Sequence, residues 1–177
     1  MIQLYQTKKL RGHLSASFCQ ALPDVSTVEM DPLFSWYGDL FFLNRKANLI
    51  FTNGLTKFSI LLLGYRKSEH PDFAATFRGC LARTLQLHHI HPGPYLEQAA
   101  AFGQNTKSSR SPLAHLSRLQ IDFVPSLKAH ESLQEKEALW RQYAYDFNTY
   151  LTSFPGSKGY AAPARVMKET LEQRQLL

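Results

Sequence analysis

The chain has 177 residues, of which 44% are hydrophobic and 12% aromatic, and this composition excludes a disordered protein. Its 20 Lys and Arg residues outnumber 14 Asp and Glu residues, and the resulting charge of +6 favours acidic partners such as nucleic acid, nucleotides or phosphorylated ligands. The longest apolar stretch, residues 58–65, is far shorter than the roughly 20 residues of a membrane-spanning helix, and the N-terminus lacks the basic-then-apolar order of a signal peptide, so we expect a cytoplasmic protein without a membrane segment.

Strand patterns dominate the first third of the chain. Residues 1–10 alternate apolar and polar side chains and predict a first strand, and residues 15–33 predict a connection with a short helix. Residues 36–43, 49–52 and 58–63 then predict three consecutive antiparallel strands. The turn that begins at Asn53-Gly54 is too long for a two-residue hairpin, so a four-residue turn or a bulge is expected there.

Helical periodicity takes over after residue 71. Asp72 is a suitable N-cap for a helix that Pro92-Gly93-Pro94 ends. Ser111 as N-cap, followed by Pro112, predicts a second helix, which we expect to be short because Pro125 interrupts it.

Two further helices complete the predicted elements. Residues 132–154 carry a core-facing apolar stripe, and residues 163–177 can form a last amphipathic helix. The sequence therefore predicts an α+β fold in a single domain over residues 1–177. Its antiparallel sheet of about four strands comes from residues 1–66 and is covered on one face by three to four helices from residues 71–177.

Two segments carry distinctive spacings. The first has Trp36 with Asp39 three positions later, then N-R-K at residues 44–46, then F-T-N-G-L-T-K-F-S at residues 51–59. The second is T-K-S-S-R-S-P-L at residues 106–113. Both are similar to segments of a family of small bacterial proteins known as a domain of unknown function. The resemblance implies a shared fold and carries no settled activity.

A first candidate site lies around the predicted hairpins. Asp39, Arg45, Lys46, Asn53 and Thr56 fall at or near strand ends, and if these ends converge the side chains could grip a phosphate. The alternative is structural: Asn53-Gly54 makes a turn, Arg45 and Lys46 form a solvated loop tip, and Asp39 pairs with Arg45.

A second candidate site precedes the predicted helix at Ser111. Thr106, Lys107, Arg110 and Ser111 lie where free backbone N–H groups and the helix dipole would attract an anion. Arg110 can add a bidentate contact to phosphate. The alternative is an ordinary N-cap in a basic loop.

Metal and cofactor chemistry are not indicated. His88, His89 and His91 lie at a predicted helix end, but no matching Cys, Asp or Glu set completes a tetrahedral site. Cys19 and Cys80 are too far apart in sequence for a zinc knuckle and are expected to be reduced thiols in or near the core. We therefore expect no metal and no cofactor.

These observations favour a binding module that recognises phosphate or nucleic acid. Two alternatives stay open. One is an enzyme that acts on nucleotides or nucleic acid, with Asp39 and a histidine as acid-base groups, although no nucleophile, Walker or dinucleotide motif is present. The other is a subunit of a small operon that docks onto or neutralises a protein partner.

Overall fold

The helices and strands come from a computed structural model, which describes residues 1–14, 31–43, 45–91, 93–99, 101–105, 109–129, 136–154 and 158–177. The strands are β1 (Ile2–Gln6), β2 (Ser35–Leu43), β3 (Lys46–Asn53), β4 (Ser59–Tyr65), β5 (Phe102–Asn105), β6 (Thr152–Ser153) and β7 (Tyr160–Ala161). The helices are α1 (Lys8–His13), α2 (Phe73–Leu87), α3 (Gly93–Gln98), α4 (Arg110–Ala129), α5 (Lys136–Thr149) and α6 (Pro163–Gln173), and Pro32–Phe34 form a 3₁₀ turn.

Five strands form a mixed sheet in the order β4-β3-β2-β1-β5. The predicted antiparallel run is confirmed in β2, β3 and β4. The prediction of a four-stranded antiparallel sheet is wrong, because β1 pairs in parallel with both β2 and β5. Tyr5 of β1 lies opposite Tyr37 on one side and Asn105 on the other. The fifth strand thus comes from outside residues 1–66.

Helices cover both faces of the sheet. Leu4, Trp36 and Phe51 belong to a core on one face, together with side chains from α1, α2, α3 and α6. Tyr37 and Ile50 belong to a second core, to which α4 and α5 contribute. The expectation that helices cover one face is therefore wrong. Successive residues of a strand point to opposite faces of the sheet, and both faces of β2 and β3 carry apolar residues. Helices must therefore pack on each face to bury them.

Helix α4 differs from its prediction. It continues through Pro125 to Ala129, although proline removes a backbone hydrogen bond and was expected to end the helix. Pro125 is exposed and lies near the C-terminal end of α4, where fewer intrahelical bonds depend on it. Helix α2 begins as predicted, since the Asp72 carboxylate accepts a hydrogen bond from Ala75 N at 2.9 Å.

Side chains from α5 protect the outer edge of β4. The Asn148 side chain accepts from Ser59 N at 2.7 Å and donates to Ser59 O at 2.8 Å, as a neighbouring strand would. Further along the edge, Trp140 Nε1 donates to Leu61 O at 3.0 Å. An edge strand with free backbone groups invites pairing with other chains, and these contacts prevent it.

The chain directions bring several loops to one edge of the sheet. Strands β2 and β4 end there and β3 begins there, while β1 and β5 run in the same direction but end at the registers of Gly38 and Tyr37. We call this the carboxyl edge. The β2–β3 turn, the end of α1 and the residues that follow β4 lie along it, whereas α4 starts near the opposite edge, where Ser109 contacts Tyr37 and His115 lies near Lys57.

Candidate functional site

A cleft of about 330 Å³ opens at the carboxyl edge of the sheet. Helix α1, the β2–β3 turn and the end of β4 supply its walls. We call it the basic cleft, and its lining residues include His13, Phe42, Arg45, Lys46, Gly64, Tyr65, Arg66 and Lys67.

Positive charge in the basic cleft is largely uncompensated. Arg66 pairs with Glu69 at 3.1 Å, and both side chains are exposed. Arg45, Lys46 and Lys67 have no ion pair within the described part of the chain. The residues that line the cleft include no carboxylate among those that the structure describes. Three free cations therefore face one concave surface.

Asn48 fixes the spacing of the two walls. This residue of β3 is buried, and its side-chain amide donates to Lys46 O at 3.0 Å and accepts from Gly64 N at 2.8 Å. Gly64 has a φ of 60° and lies where the β3–β4 register shifts, a conformation that suits glycine. One buried side chain thus ties the turn that carries Arg45 to the end of β4. The sequence did not predict this role, because its patterns place Asn48 in the turn before the predicted strand at residues 49–52.

Arg45 has an uncommon backbone conformation. Its φ is 61°, in the left-handed region that costs a residue with a side chain about 1 kcal/mol or more. Leu43 pairs with Lys46, so Arg45 lies in the tight connection between the two strands. Arg45 is exposed and lines the basic cleft.

An aromatic surface adjoins these cations. Phe42 is 51% exposed, although it is a large apolar side chain. Lys9 Nζ lies 5.6 Å from the centroid of the Phe42 ring, and the His13 ring meets the Phe42 ring edge-on at 6.0 Å. The site therefore combines positive charge with a flat apolar face.

The structure separates Asn53 and Thr56 from Arg45 and Lys46. Asn53 ends β3 and Lys46 begins it, so the two residues lie about 23 Å apart at the rise of an extended strand. Asn53 and Thr56 are fully buried. Asn53 Oδ1 accepts from Thr56 N at 3.0 Å and Thr56 Oγ1 at 3.1 Å. Both side chains are used to hold the β3–β4 turn and are out of a ligand's reach.

The second predicted site is only partly described. Thr106 and Lys107 lie outside the described residues. Arg110 and Ser111 are exposed at the start of α4. Because the helix already begins at Arg110, Ser111 lies in its first turn and is not the N-cap that the sequence suggested. The preceding residue, Ser109, hydrogen bonds with the Tyr37 hydroxyl.

Asp39 holds elements together. Its carboxylate accepts hydrogen bonds from Thr7 Oγ1 at 2.6 Å, Gln120 Nε2 at 2.9 Å and Leu40 N at 2.8 Å. These contacts join the loop before α1 and the middle of α4 to β2. No described histidine contacts Asp39. The predicted acid-base role of Asp39 with a histidine therefore has no support among the described residues.

The described histidines show no sign of a shared site with Cys80. The described residues contain no group of three or more His, Cys, Asp or Glu side chains that could hold a metal ion. His88 Nε2 lies 3.2 Å from Ala144 O, and its ring stacks on Tyr145. Cys80 is a buried free thiol, as predicted, and burial raises its pKa to about 11. Cys19 lies outside the described residues.

A second, larger cleft of about 500 Å³ lies between α2 and α5. The part of the β4 edge that α5 leaves uncovered forms its floor, so we call it the edge cleft. Arg83 donates to Glu137 at 2.6 Å and stacks over the Trp140 ring at 4.1 Å. Tyr65 lines both the edge cleft and the basic cleft.

Comparison with known proteins identifies a family and no activity. No helix in the described ranges has both the length and the apolarity needed to cross a membrane. A search of curated proteins finds no match. The model of a family described as a domain of unknown function (DUF6933) matches residues 3–166. This match spans most of the chain and confirms the resemblance seen in the sequence, so the chain belongs to the DUF6933 family.

Proposed function

We propose that this protein binds a phosphate-bearing ligand in the basic cleft. The observation that carries the proposal is the convergence of Arg45, Lys46 and Lys67, none of them ion-paired within the described residues, on one concave surface. His13 and Arg66 add donors to the same cleft. Arg45 and Lys46 are residues for which the sequence already predicted a phosphate contact.

The residue types suit this ligand. The planar guanidinium of Arg45 can donate two parallel hydrogen bonds to phosphate oxygens, and Lys46 and Lys67 act as point charges. The net charge of +6 raises the rate at which an anion arrives. The wall spacing set by Asn48 lowers the entropy cost of gathering the cations around the ligand.

A longer ligand could make a second contact outside the basic cleft. Arg110 and Ser111 are exposed at the start of α4, where a phosphate can also accept backbone hydrogen bonds. In this extended form of the proposal, a nucleic acid strand contacts the basic cleft and crosses the sheet to a separate contact at Arg110, with Thr106 and Lys107 beside it in sequence.

Charge reversal tests the proposal. The double variant Arg45→Glu/Lys46→Glu is compared with Lys158→Glu/Arg165→Glu, which changes the net charge equally. The control residues lie on or near α6, which contacts Thr56 at the opposite edge of the sheet through Met167. Fluorescence anisotropy with a labelled, 5′-phosphorylated ten-nucleotide RNA, with inorganic phosphate as competitor, gives the affinity.

We expect the cleft variant to lose affinity at least tenfold and the control to lose less than threefold, with unchanged circular dichroism in both. Equal losses would show that net charge alone attracts the RNA, and the proposal would then be wrong. Failure of the unchanged protein to bind either RNA or phosphate would also contradict it.

A further inference from the structure

The basic cleft and the edge cleft adjoin each other at the end of β4. Gly64 lines the first, Tyr65 lines both, and Lys136 at the start of α5 lines the second. A methyl group placed on Gly64 would lie 3.6 Å from Lys136 Nζ and 3.9 Å from Lys46 Cδ. Lys46 and Lys136 therefore approach each other over a residue that has no side chain, and both cations lie where the two clefts meet.

The two clefts differ in chemistry. Leu61, Leu62, Leu63 and Trp140 contribute to the edge cleft, which is the more apolar of the two. Its rim carries polar groups: the Arg83–Glu137 pair on one side, and His70 and Thr76 on the other.

An apolar cavity with a polar rim suits a flat heteroaromatic ring better than an acyl chain. The ring faces can pack on leucine side chains while the ring edge hydrogen bonds with the rim. An acyl chain can pack on the leucines but makes no hydrogen bond with the rim. A phosphate and a heteroaromatic ring joined by a short linker are the components of a nucleotide.

We propose that the two clefts together bind one nucleotide, with its phosphate in the basic cleft and its base in the edge cleft. This inference rests on the proposed phosphate site and adds the class of ligand. The nucleotide is either free or the terminal unit of a nucleic acid strand, since both present the same phosphate and base.

Gly79 offers a way to close the edge cleft alone. It is exposed on α2 and lines this cleft, and a methyl group placed on it would meet nothing within 4 Å. Gly79→Phe therefore places a ring in the edge cleft without touching the basic cleft. Ala75→Phe, at an exposed position on the same helix that does not line the cleft, is the matched control.

The experiment is isothermal titration calorimetry with four kinds of probe: ribose 5-phosphate, the nucleosides, the four ribonucleoside 5′-monophosphates and a 5′-phosphorylated RNA tetramer. In the unchanged protein and in Ala75→Phe, we expect at least one monophosphate to bind tenfold or more tightly than ribose 5-phosphate. In Gly79→Phe this difference disappears, and the affinity for ribose 5-phosphate stays within threefold.

The outcomes separate the two proposals. If every monophosphate binds only as tightly as ribose 5-phosphate, or if Gly79→Phe keeps the difference, the nucleotide inference is overturned. The phosphate site still stands in that case if Arg45→Glu/Lys46→Glu abolishes ribose 5-phosphate binding, and falls if no probe binds. A tetramer that binds tenfold more tightly than any monophosphate supports a strand end, and equal or weaker binding supports a free nucleotide.

Discussion

Asn53 shows how one side chain specifies a turn. Its oxygen accepts from Leu55 N and Thr56 N, and its amide nitrogen donates to Leu33 O at 2.7 Å. The Tyr95 hydroxyl also donates to Leu33 O and accepts from Trp36 Nε1. Trp36 and Asn53, both part of the spacing that resembles the family, are thus linked through one carbonyl. Both side chains thus have structural roles that need no ligand.

The Asn53→Ala variant should be strongly destabilised. Two backbone N–H groups and the Thr56 hydroxyl lose their acceptor in a buried setting, so we expect the free energy of unfolding to fall by about 3 kcal/mol. Urea denaturation followed by circular dichroism measures it. The exposed Gln86→Ala on α2 serves as control and should change stability by less than about 0.5 kcal/mol. If Asn53→Ala lowered the free energy of unfolding as little as Gln86→Ala does, the turn would not need this side chain.

His115 is a buried residue of α4 whose Nε2 atom has no hydrogen-bond partner among the described residues. Burial, followed by the nearby charge of Lys57, lowers the pKa of His115 to about 4. In the unfolded chain its pKa is about 6.5, so between these values the unfolded state binds a proton that the folded state excludes. Stability contributed by neutral His115 is therefore lost as the pH falls below about 6.5.

We expect this histidine alone to cost about 2 kcal/mol of stability between pH 7 and pH 5. The measurement is the free energy of unfolding at both pH values, for the unchanged protein and for His115→Gln, which does not titrate. The variant should lose about 2 kcal/mol less over this range. Identical pH dependence in both proteins would mean that His115 is protonated in the folded state.

At the scale of elements, local patterns identify what local contacts determine. The β2–β4 run and α2 follow from strand alternation, turn residues and an N-cap within each segment. Strand β5 has only four residues, F-G-Q-N, with weak strand propensity, and its partner β1 lies about 100 residues earlier. No local pattern reports such a pairing, and for this reason the parallel half of the sheet was not predicted.

Two glycines show opposite constraints on neighbouring elements. A methyl group on Gly38 of β2 would lie 2.4 Å from Phe51 Cε1 and 2.7 Å from Leu10 Cδ2, whereas one on Gly79 of α2 meets no atom within 4 Å. We expect Gly38→Ala to lower the free energy of unfolding by about 2 kcal/mol through overpacking. Gly79→Ala should raise it by about 0.5–1 kcal/mol through helix propensity. Thermal denaturation of both variants checks the signs, and stabilisation by Gly38→Ala would contradict the packing described for β2.

The protection of the β4 edge predicts a change in association. Asn148→Ala leaves the Ser59 N–H and C=O groups without their partner, so we expect a loss of about 2 kcal/mol in stability and faster aggregation on mild heating. Light scattering and thioflavin T fluorescence follow the aggregation. Gln142→Ala, exposed on the same helix, should behave as the unchanged protein. Equal aggregation rates for Asn148→Ala and Gln142→Ala would argue that this edge is not a pairing hazard.

At the scale of the whole molecule, the candidate site depends on topology. The sequence predicts Arg45 and Lys46 because they stand together in one turn. His13 and Lys67 join them only because α1 and the end of β4 reach the same edge of the sheet. Asn53 and Thr56, which belong to the same sequence segment as Arg45, lie at the opposite edge. Proximity in sequence was therefore a poor guide to proximity in the site.

The arrangement of charge predicts the salt dependence of binding. If three cations contact phosphates of a single-stranded oligonucleotide, the logarithm of the affinity should fall with the logarithm of salt concentration with a slope of about −2. Anisotropy titrations between about 50 and 200 mM salt measure this slope. Lys67→Ala should make it shallower by about 0.7, and Lys158→Ala should leave it unchanged. A slope near zero would mean that phosphate contacts contribute little.

The central position of β1 has a consequence for the order of folding. This strand is made before its neighbours on both sides, and one of them, β5, is complete only at residue 105. On the ribosome, β2, β3 and β4 can pair as they emerge, and β1 can pair with β2, but the other side of β1 must wait for a chain of more than a hundred residues. Its apolar side chains, Ile2 and Leu4, then stay uncovered for several seconds at ordinary elongation rates of about 5–20 residues per second. Among the five strands of this sheet, β1 is made first and is among the last to be paired on both sides, and we expect nascent chains to need chaperone protection at this strand.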